Sequence, residues 1–329
     1  MASLEIEIEF TNPDKNFRTD QHVTGVVRMQ ANRKLKCRSV QLVACWETHG
    51  LGDITRENYH QEILRSGDFA EGETGEFTFD FAPPNHPLTY HGHLVNVDHY
   101  VLVRADTPWD RAPQWKEDFH LRVGAQAAEP IAQVTESQSR SLGLGKHLEK
   151  LALFLLCAAF AFALITGSVW FLLLAVPAIF MSIPAIRKRI ARRRLGEIKW
   201  ITPHSCHPRE TLPFHLEVGP LGNVRIREIT IQLRGTETTS SNRRSSGHTH
   251  LLHQETHGLA KNPIATLGEV LQYQSEMVVP DTEAWSLDLP GNRIYWSLSV
   301  VISLAGWPDY VETRIVQVQD RVGKTPAPS

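Results

Sequence analysis

The sequence lacks the features of a secreted or disulfide-stabilised protein. Its four cysteines are Cys37, Cys45, Cys157 and Cys206, and their spacing forms neither a disulfide framework nor a Cys-x-x-Cys pair. The first ten residues alternate glutamate with apolar side chains, so we expect no secretory signal peptide there. No Asn-x-Ser/Thr glycosylation acceptor is present. These absences predict folded parts that lie in a reducing compartment.

Common catalytic and nucleotide-binding motifs are missing as well. There is no Gly-x-Ser-x-Gly nucleophile turn and no Gly-x-x-x-x-Gly-Lys-Ser/Thr phosphate loop. The 34 basic and 36 acidic residues nearly balance, which predicts no general surface for polyanions such as nucleic acid. We therefore expect a protein that is not an enzyme, needs no cofactor and does not bind nucleic acid.

One absence is confined to a single segment. Residues 151–186 form a run of 36 residues without Asp, Glu, Lys, Arg or His. A membrane-spanning helix needs about 20 apolar residues, whereas one helix of 36 residues would be roughly 54 Å long. Two spans of about 17 residues, joined near Gly167, fit a bilayer better. We predict a two-helix transmembrane hairpin over residues 148–186.

Basic residues flank this hairpin on both sides. Those that follow it, in the predicted cytoplasmic anchor 187–195, are Arg187, Lys188, Arg189, Arg192, Arg193 and Arg194. Lys and Arg near span ends stay in the cytoplasm, so we expect both termini there. A nucleic-acid or anionic-lipid site is the alternative interpretation of this run. Small residues at four-residue spacing (Ala159, Ala163, Gly167) would let the two spans pack closely, or would mediate a homo-oligomer.

The residues on either side of the hairpin have the patterns of β-strands. Residues 4–10 alternate apolar and glutamate side chains, and Phe77, Phe79 and Phe81 alternate before a Pro-Pro pair. Gly, Pro and Asn separate such segments. The pattern predicts antiparallel, immunoglobulin-like β-sandwiches.

The second half repeats the first in the same order. Residues 38–42 match 227–231, 59–62 match 252–255, 80–83 match 277–280, and 97–103 match 294–300, at offsets that grow from 189 to 197. Four ordered matches predict tandem copies of one domain. We place the first sandwich at residues 1–127, a linker at 128–147, the second sandwich at 196–320 and a tail at 321–329.

One segment of the first copy resembles the strand that marks arrestins, with a Gly-bearing turn followed by alternating aliphatic and aromatic positions. The residues that carry the resemblance are Tyr90, Gly92, Val97, Val101, Val103, Pro108 and Trp109. His99 departs from the pattern, because arrestins have an aromatic ring there. The second copy keeps the ring at Trp296. We expect these residues to be structural, with Gly92 permitting a tight turn.

The resemblance implies two tandem arrestin-like sandwiches in a binding protein that is not an enzyme. Arrestin-like proteins bind protein partners and membranes through loops and sheet edges. Arrestins lack an apolar hairpin, so this chain resembles a divergent, prokaryotic, membrane-tethered member. The expected location is the bacterial inner membrane, where the chain would be a scaffold for protein partners. We expect contacts at the loops 50–59 and 236–250 and at unpaired sheet edges.

A cluster of histidines supports a different function. His248, His250, His253 and His257 lie within ten residues, and imidazole is a good zinc ligand. Strand alternation would place the first two on one face and the last two on the other. A zinc-dependent hydrolase that uses this segment is therefore one alternative function. An accessory subunit of a membrane transport or secretion complex is another.

Overall fold

The computed structural model describes residues 3–108, 114–124, 193, 195–241 and 244–319. The predicted hairpin, the linker, the tail and Trp109 lie outside the described residues. Of the six predicted anchor residues, only Arg193 is described, and its side chain is exposed. Within the described part of the chain, no helix is both long and apolar enough to cross a membrane.

The described residues of the first half form nine strands. They are β1 (Leu4–Phe10), β2 (Asn16–Arg18), β3 (Val23–Ala31), β4 (Ser39–Gly50), β5 (Arg56–Ser66), β6 (Thr74–Phe81), β7 (Tyr90–His91), β8 (Val95–Asp106) and β9 (Gln114–Arg122). One sheet has the order β1-β3-β6. The other has the order β2-β9-β8-β4-β5, with β7 paired to β8.

The described residues of the second half form ten strands. They are β10 (Glu197–Ile201), β11 (Ser205–Cys206), β12 (Thr211–Gly219), β13 (Val224–Ser241), β14 (Arg244–Lys261), β15 (Ile264–Ala265), β16 (Leu271–Val278), β17 (Leu287–Leu289), β18 (Asn292–Leu304) and β19 (Tyr310–Val318). One sheet has the order β10-β12-β16. The other has the order β11-β19-β18-β13-β14, with β17 on β18 and β15 on β13. The predicted all-β class is confirmed.

Each half encloses its own core between its two sheets. In the first, Val27 and Phe79 from the smaller sheet pack with Leu42 and Val101 from the larger one. The second core is built in the same way from its two sheets. The alternation of apolar and polar residues in the sequence explains how the strands face these cores. In β1, for example, Leu4 and Phe10 are buried while the glutamates stay on the outer face.

The pairing of the strands repeats along with their order. The short strands β2 and β11 each lie parallel to the last strand of their half, β9 and β19. His99 lies opposite Phe119, and Trp296 lies opposite Val316, so both pairs have the offset of 197 found in the sequence. His99 and Trp296 therefore occupy equivalent places in the two sheets.

One predicted contact loop is wrong. Residues 236–250 were expected to form a long loop, but they lie mostly in β13 and β14, which form a hairpin from Ser241 to Arg244. The run of Thr and Ser residues conceals this hairpin, because it lacks the apolar alternation that marks a strand. Residues 50–59 are a loop only in part, since β5 begins at Arg56.

His99 is completely buried in the first sandwich. Its Nε2–H group donates to the Pro87 carbonyl at 2.9 Å, which leaves Nδ1 facing the Tyr59 hydroxyl at 3.5 Å. Burial lowers the pKa of His99 to about 4, against smaller opposing effects of the Pro87 carbonyl and Asp98. The core thus holds the imidazole in its neutral form.

This burial predicts acid destabilisation. Between pH 6.5 and about 4 the unfolded chain protonates His99 and the folded chain does not, so stability falls as the pH falls. The loss amounts to roughly 3 kcal/mol by pH 4. We expect His99→Phe to show a shallower decline in denaturant unfolding measured from pH 7 to 4. The exposed His204→Phe is the control, and equal slopes for the two variants would contradict the prediction.

Candidate functional site at the junction of the two sandwiches

A buried carboxylate from the second sandwich is held by the first. Glu237 on β13 has no exposed surface. Tyr90 donates its hydroxyl to Glu237 Oε1, while the backbone N–H groups of His93 and Leu94 donate to Oε2 at 3.0 and 2.8 Å. Hydrogen bonds to a carboxylate are stronger than those between neutral groups. This set of contacts, which we call the Glu237 clasp, therefore couples the two sandwiches.

The clasp also changes the chemistry of Tyr90. Burial raises the pKa of the Tyr90 hydroxyl well above its usual value, and the hydrogen bond to Glu237 raises it further. The phenol therefore stays protonated and can donate to the carboxylate throughout the physiological pH range.

Gly92 is required by the close approach of Glu237. A Cβ atom built on Gly92 would lie 1.8 Å from Glu237 Oε1 and 2.6 Å from the Tyr90 ring. No side chain fits in that space. The predicted reason for this glycine was a tight turn, and the structure adds a stronger one, which is packing between the two halves.

A second polar contact joins the sandwiches through the β4–β5 loop. Asn292 donates from Nδ2 to the Asp53 carbonyl at 2.7 Å and to Thr48 Oγ1 at 3.4 Å. Ser241 Oγ donates to Asp53 Oδ1 at 2.8 Å. The backbones approach closely here, since a Cβ on Gly52 would lie 2.6 Å from the Gly291 carbonyl oxygen. We call this set the Asn292 clasp.

The two clasps use equivalent positions in the two copies. Thr48 lies opposite Val97 in the first sheet, and Glu237 lies opposite Ile294 in the second. In the Glu237 clasp the end of β13 meets the turn before β8, and in the Asn292 clasp the end of β4 and the loop after it meet the start of β18. The junction is therefore approximately two-fold, as in an interface between identical subunits.

Apolar contacts across the junction are reciprocal too. Tyr90, Val95 and Val97 of the first half belong to the core of the second. Trp285 of the second half packs against the core of the first. The two halves thus share their hydrophobic surface, and the buried clasps lie beside it.

The arrestin-like motif residues divide between these regions. Val101 and Val103 lie in the first core, whereas Tyr90 and Val97 face the junction and Gly92 admits Glu237. Pro108 is exposed. Sequence reasoning missed Glu237 altogether. The sequence feature that could have revealed Glu237 is its place in the strand alternation, because it continues the series of buried positions Ile231, Leu233 and Gly235.

The four histidines do not divide between two faces as predicted. They lie opposite the odd-numbered residues Thr239, Glu237, Gly235 and Ile231 of β13, which share one face. The correction comes from a β-bulge at Leu252, because one extra residue reverses the alternation between His250 and His253. All four imidazoles therefore lie on the same side of the sheet.

Sharing a face does not bring the histidines into one metal site. His248 and His257 lie opposite positions eight residues apart, which is roughly 26 Å along a strand. Glu255 lies between the last two, with its oxygens 2.7 Å from His257 Nε2 and 3.7 Å from His253 Nε2. Among the described side chains, no group of three or more His, Cys, Asp or Glu is arranged to hold a metal ion.

The first sandwich contains a similar His-x-Glu pair. His60 Nε2 lies 3.7 Å from Glu62 Oε1, and a bulge at Tyr59 precedes the pair, as the Leu252 bulge precedes His253. The Nε2 atoms of His60 and His253 are both buried without a hydrogen-bond partner. The same pair therefore occurs at matching positions in both halves, as expected if the halves arose by duplication of one domain.

Comparisons with known proteins gave no match, either among protein-family models or among curated protein sequences. The arrestin resemblance therefore stays a prediction.

Loss of the Glu237 charge should destabilise the junction. Glu237→Gln replaces one acceptor oxygen with an NH₂ group, which faces N–H donors and leaves buried groups unpaired. We expect a loss of about 1–3 kcal/mol in denaturant unfolding. Glu276→Gln, an exposed site on β16, is the matched control. Equal stability of the two variants would show that the clasp contributes nothing.

The histidine geometry predicts weak metal binding. Since the four imidazoles are spread along one strand, we expect the purified full chain to retain less than about one-tenth equivalent of zinc by elemental analysis. His253→Ala with His257→Ala should not change that value. A full equivalent of zinc that disappears in this double variant would support the hydrolase alternative instead.

Proposed function

We propose that this chain is a membrane-anchored, arrestin-like binding scaffold. It presents two β-sandwiches to protein partners on the cytoplasmic face of the membrane. The observation that carries the proposal is the position of the uncharged 36-residue segment, which lies between two sandwiches that hold each other through buried clasps. The segment anchors the chain, and the clasps keep both sandwiches beside the anchor.

The length of chain between the segment and the second sandwich supports this role. Leu195 is fully buried in the second core, and eight residues separate it from Ile186. Nine backbone steps span at most about 30 Å. The point at which the chain enters the second sandwich therefore stays within that distance of the end of the segment, which raises the effective concentration of the sandwich toward partners in the same membrane.

The outer edges of the two large sheets are the proposed contact sites for partners. In the described part of the chain, β5 and β14 are terminal strands of their sheets. Such edges present N–H and C=O groups that can pair with an added strand. The adjoining β4–β5 loop exposes Leu51 and Ile54, of which 51% and 70% of the surface is accessible. An extended partner segment with apolar side chains fits this surface.

Membrane fractionation tests the anchor. We expect most of the full chain to remain in the membrane pellet after a carbonate wash, because two apolar spans hold it there. The control variant replaces residues 151–186 with a Gly/Ser linker of the same length, and it should move to the soluble fraction. Recovery of the unaltered chain in the soluble fraction without detergent would overturn the proposal.

Crosslinking in native membranes tests the contact sites. An Ile54→Asp variant places a charge on the exposed loop and should lose crosslinks to partner proteins identified by mass spectrometry. Ile201→Asp, an equally exposed site on β10 of the second sandwich, is the matched control. If both variants keep the same crosslinks as the unaltered chain, this loop is not a contact site.

A further inference from the structure

Five large apolar side chains are exposed at one end of the second sandwich. They are Leu221, Ile264, Leu267, Val270 and Trp307, and between 45% and 79% of each is accessible. We call them the distal loop surface. Exposed apolar clusters of this kind mark interaction sites more often than single exposed residues do.

Backbone contacts bring these loops together. The Leu267 N–H group donates to Asn223 Oδ1 at 3.4 Å, which places Leu267 beside the loop that carries Leu221. Ile264 lies opposite Arg225 on β13. The Arg225 carbonyl accepts a hydrogen bond of 2.9 Å from the N–H group of Ala305, which begins the turn containing Trp307. The segments that carry Leu221, Ile264, Leu267 and Trp307 therefore lie side by side, and Val270 belongs to the same β15–β16 loop as Leu267.

The distal loop surface lies at the opposite end of the second sandwich from the clasps. It surrounds the start of β13 at Val224, whereas Glu237 lies thirteen residues later in the same strand. At a strand rise of 3.3 Å per residue, this separation is roughly 40 Å. The surface is thus distinct from the junction.

The chain enters the second sandwich at this same surface. A Cβ atom on Gly196 would lie 2.8 Å from Leu221 Cγ, so the residue after Leu195 touches the distal loop surface. Eight residues separate Leu195 from Ile186, where the uncharged segment ends. The short connection limits this end of the sandwich to about 30 Å from the end of the segment.

Charge and side-chain type agree with a lipid partner. Arg225 and Arg227 lie at the start of β13 and Lys261 ends β14, and the acidic residues of the same strands and loops are Glu228, Glu269 and Asp309. The connection 187–194, of which the structure describes only Arg193, has six basic residues and no acidic residue in its sequence. Basic and apolar side chains together, with a tryptophan, are typical of proteins that rest on the headgroup layer of anionic membranes.

We propose that the distal loop surface docks on the headgroup layer of an anionic bilayer, with Leu221, Ile264, Leu267, Val270 and Trp307 at the lipid boundary. This inference rests on the proposed membrane anchor. It adds an orientation, in which the second sandwich stands on the membrane by its distal end and holds the junction away from it.

Site-specific labelling of the full chain tests the orientation. An environment-sensitive fluorophore is attached at Leu267→Cys or Ile264→Cys in a Cys157→Ser background, since the other three cysteines are buried. The chain is reconstituted into vesicles that contain phosphatidylglycerol. We expect iodide to quench these labels roughly threefold less than a label at Ile63→Cys, because side chains at the lipid boundary are shielded from aqueous ions. Ile63 is an exposed site on β5 of the first sandwich.

The controls separate the alternatives. Labels that are protected in vesicles and accessible in detergent support docking on lipid. Equal protection in both would show that the chain's own apolar segment or a second copy covers the surface, which overturns the proposal. If the chain floats with the vesicles while all labels are equally quenched, the anchor stands and the docking does not. If the chain does not float, both proposals fail.

Discussion

The burial of the Glu237 carboxylate is the constraint on which the relation between the two sandwiches depends. A carboxylate without exposed surface is tolerated only when donors replace the water it loses. Here the donors are Tyr90 and the N–H groups of His93 and Leu94, all from the other half. Separation of the halves would expose Glu237 and the apolar side chains around it together. A single arrangement of the two sandwiches is therefore favoured.

In each copy, the same strand and the turn beside it belong to a hydrophobic core and also contact the other copy. Val97 lies in the sheet of the first sandwich and packs in the core of the second, while Asn292 begins β18 and reaches Thr48 and Asp53. Duplication of one domain explains why the same segments are used twice, because equivalent surfaces of two copies can form a two-fold contact. Divergence then placed Glu237 at one contact and Thr48 at the other, so the two clasps differ in charge.

Much of the fold could be predicted from the sequence, and the site could not. Alternation in β1 and the ordered repeat predicted the strands and two similar halves, because both depend on periods visible in one dimension. The faces of the histidines were predicted wrongly, since a bulge at Leu252 inserts one residue and reverses the alternation. The hairpin of β13 and β14 was missed because Thr and Ser residues replace its apolar positions.

The sequence by itself determined the all-β class, the duplication and the uncharged segment between the copies, since local patterns of side chains carry each of these. Only the tertiary structure decided that Tyr90 and Val97 belong to the junction, that Gly92 makes room for Glu237, and that five apolar loop residues share one surface. The contact between Tyr90 and Glu237, for example, joins residues 147 positions apart. The physical cause of these relations is the packing of one sandwich against the other, which no local pattern records.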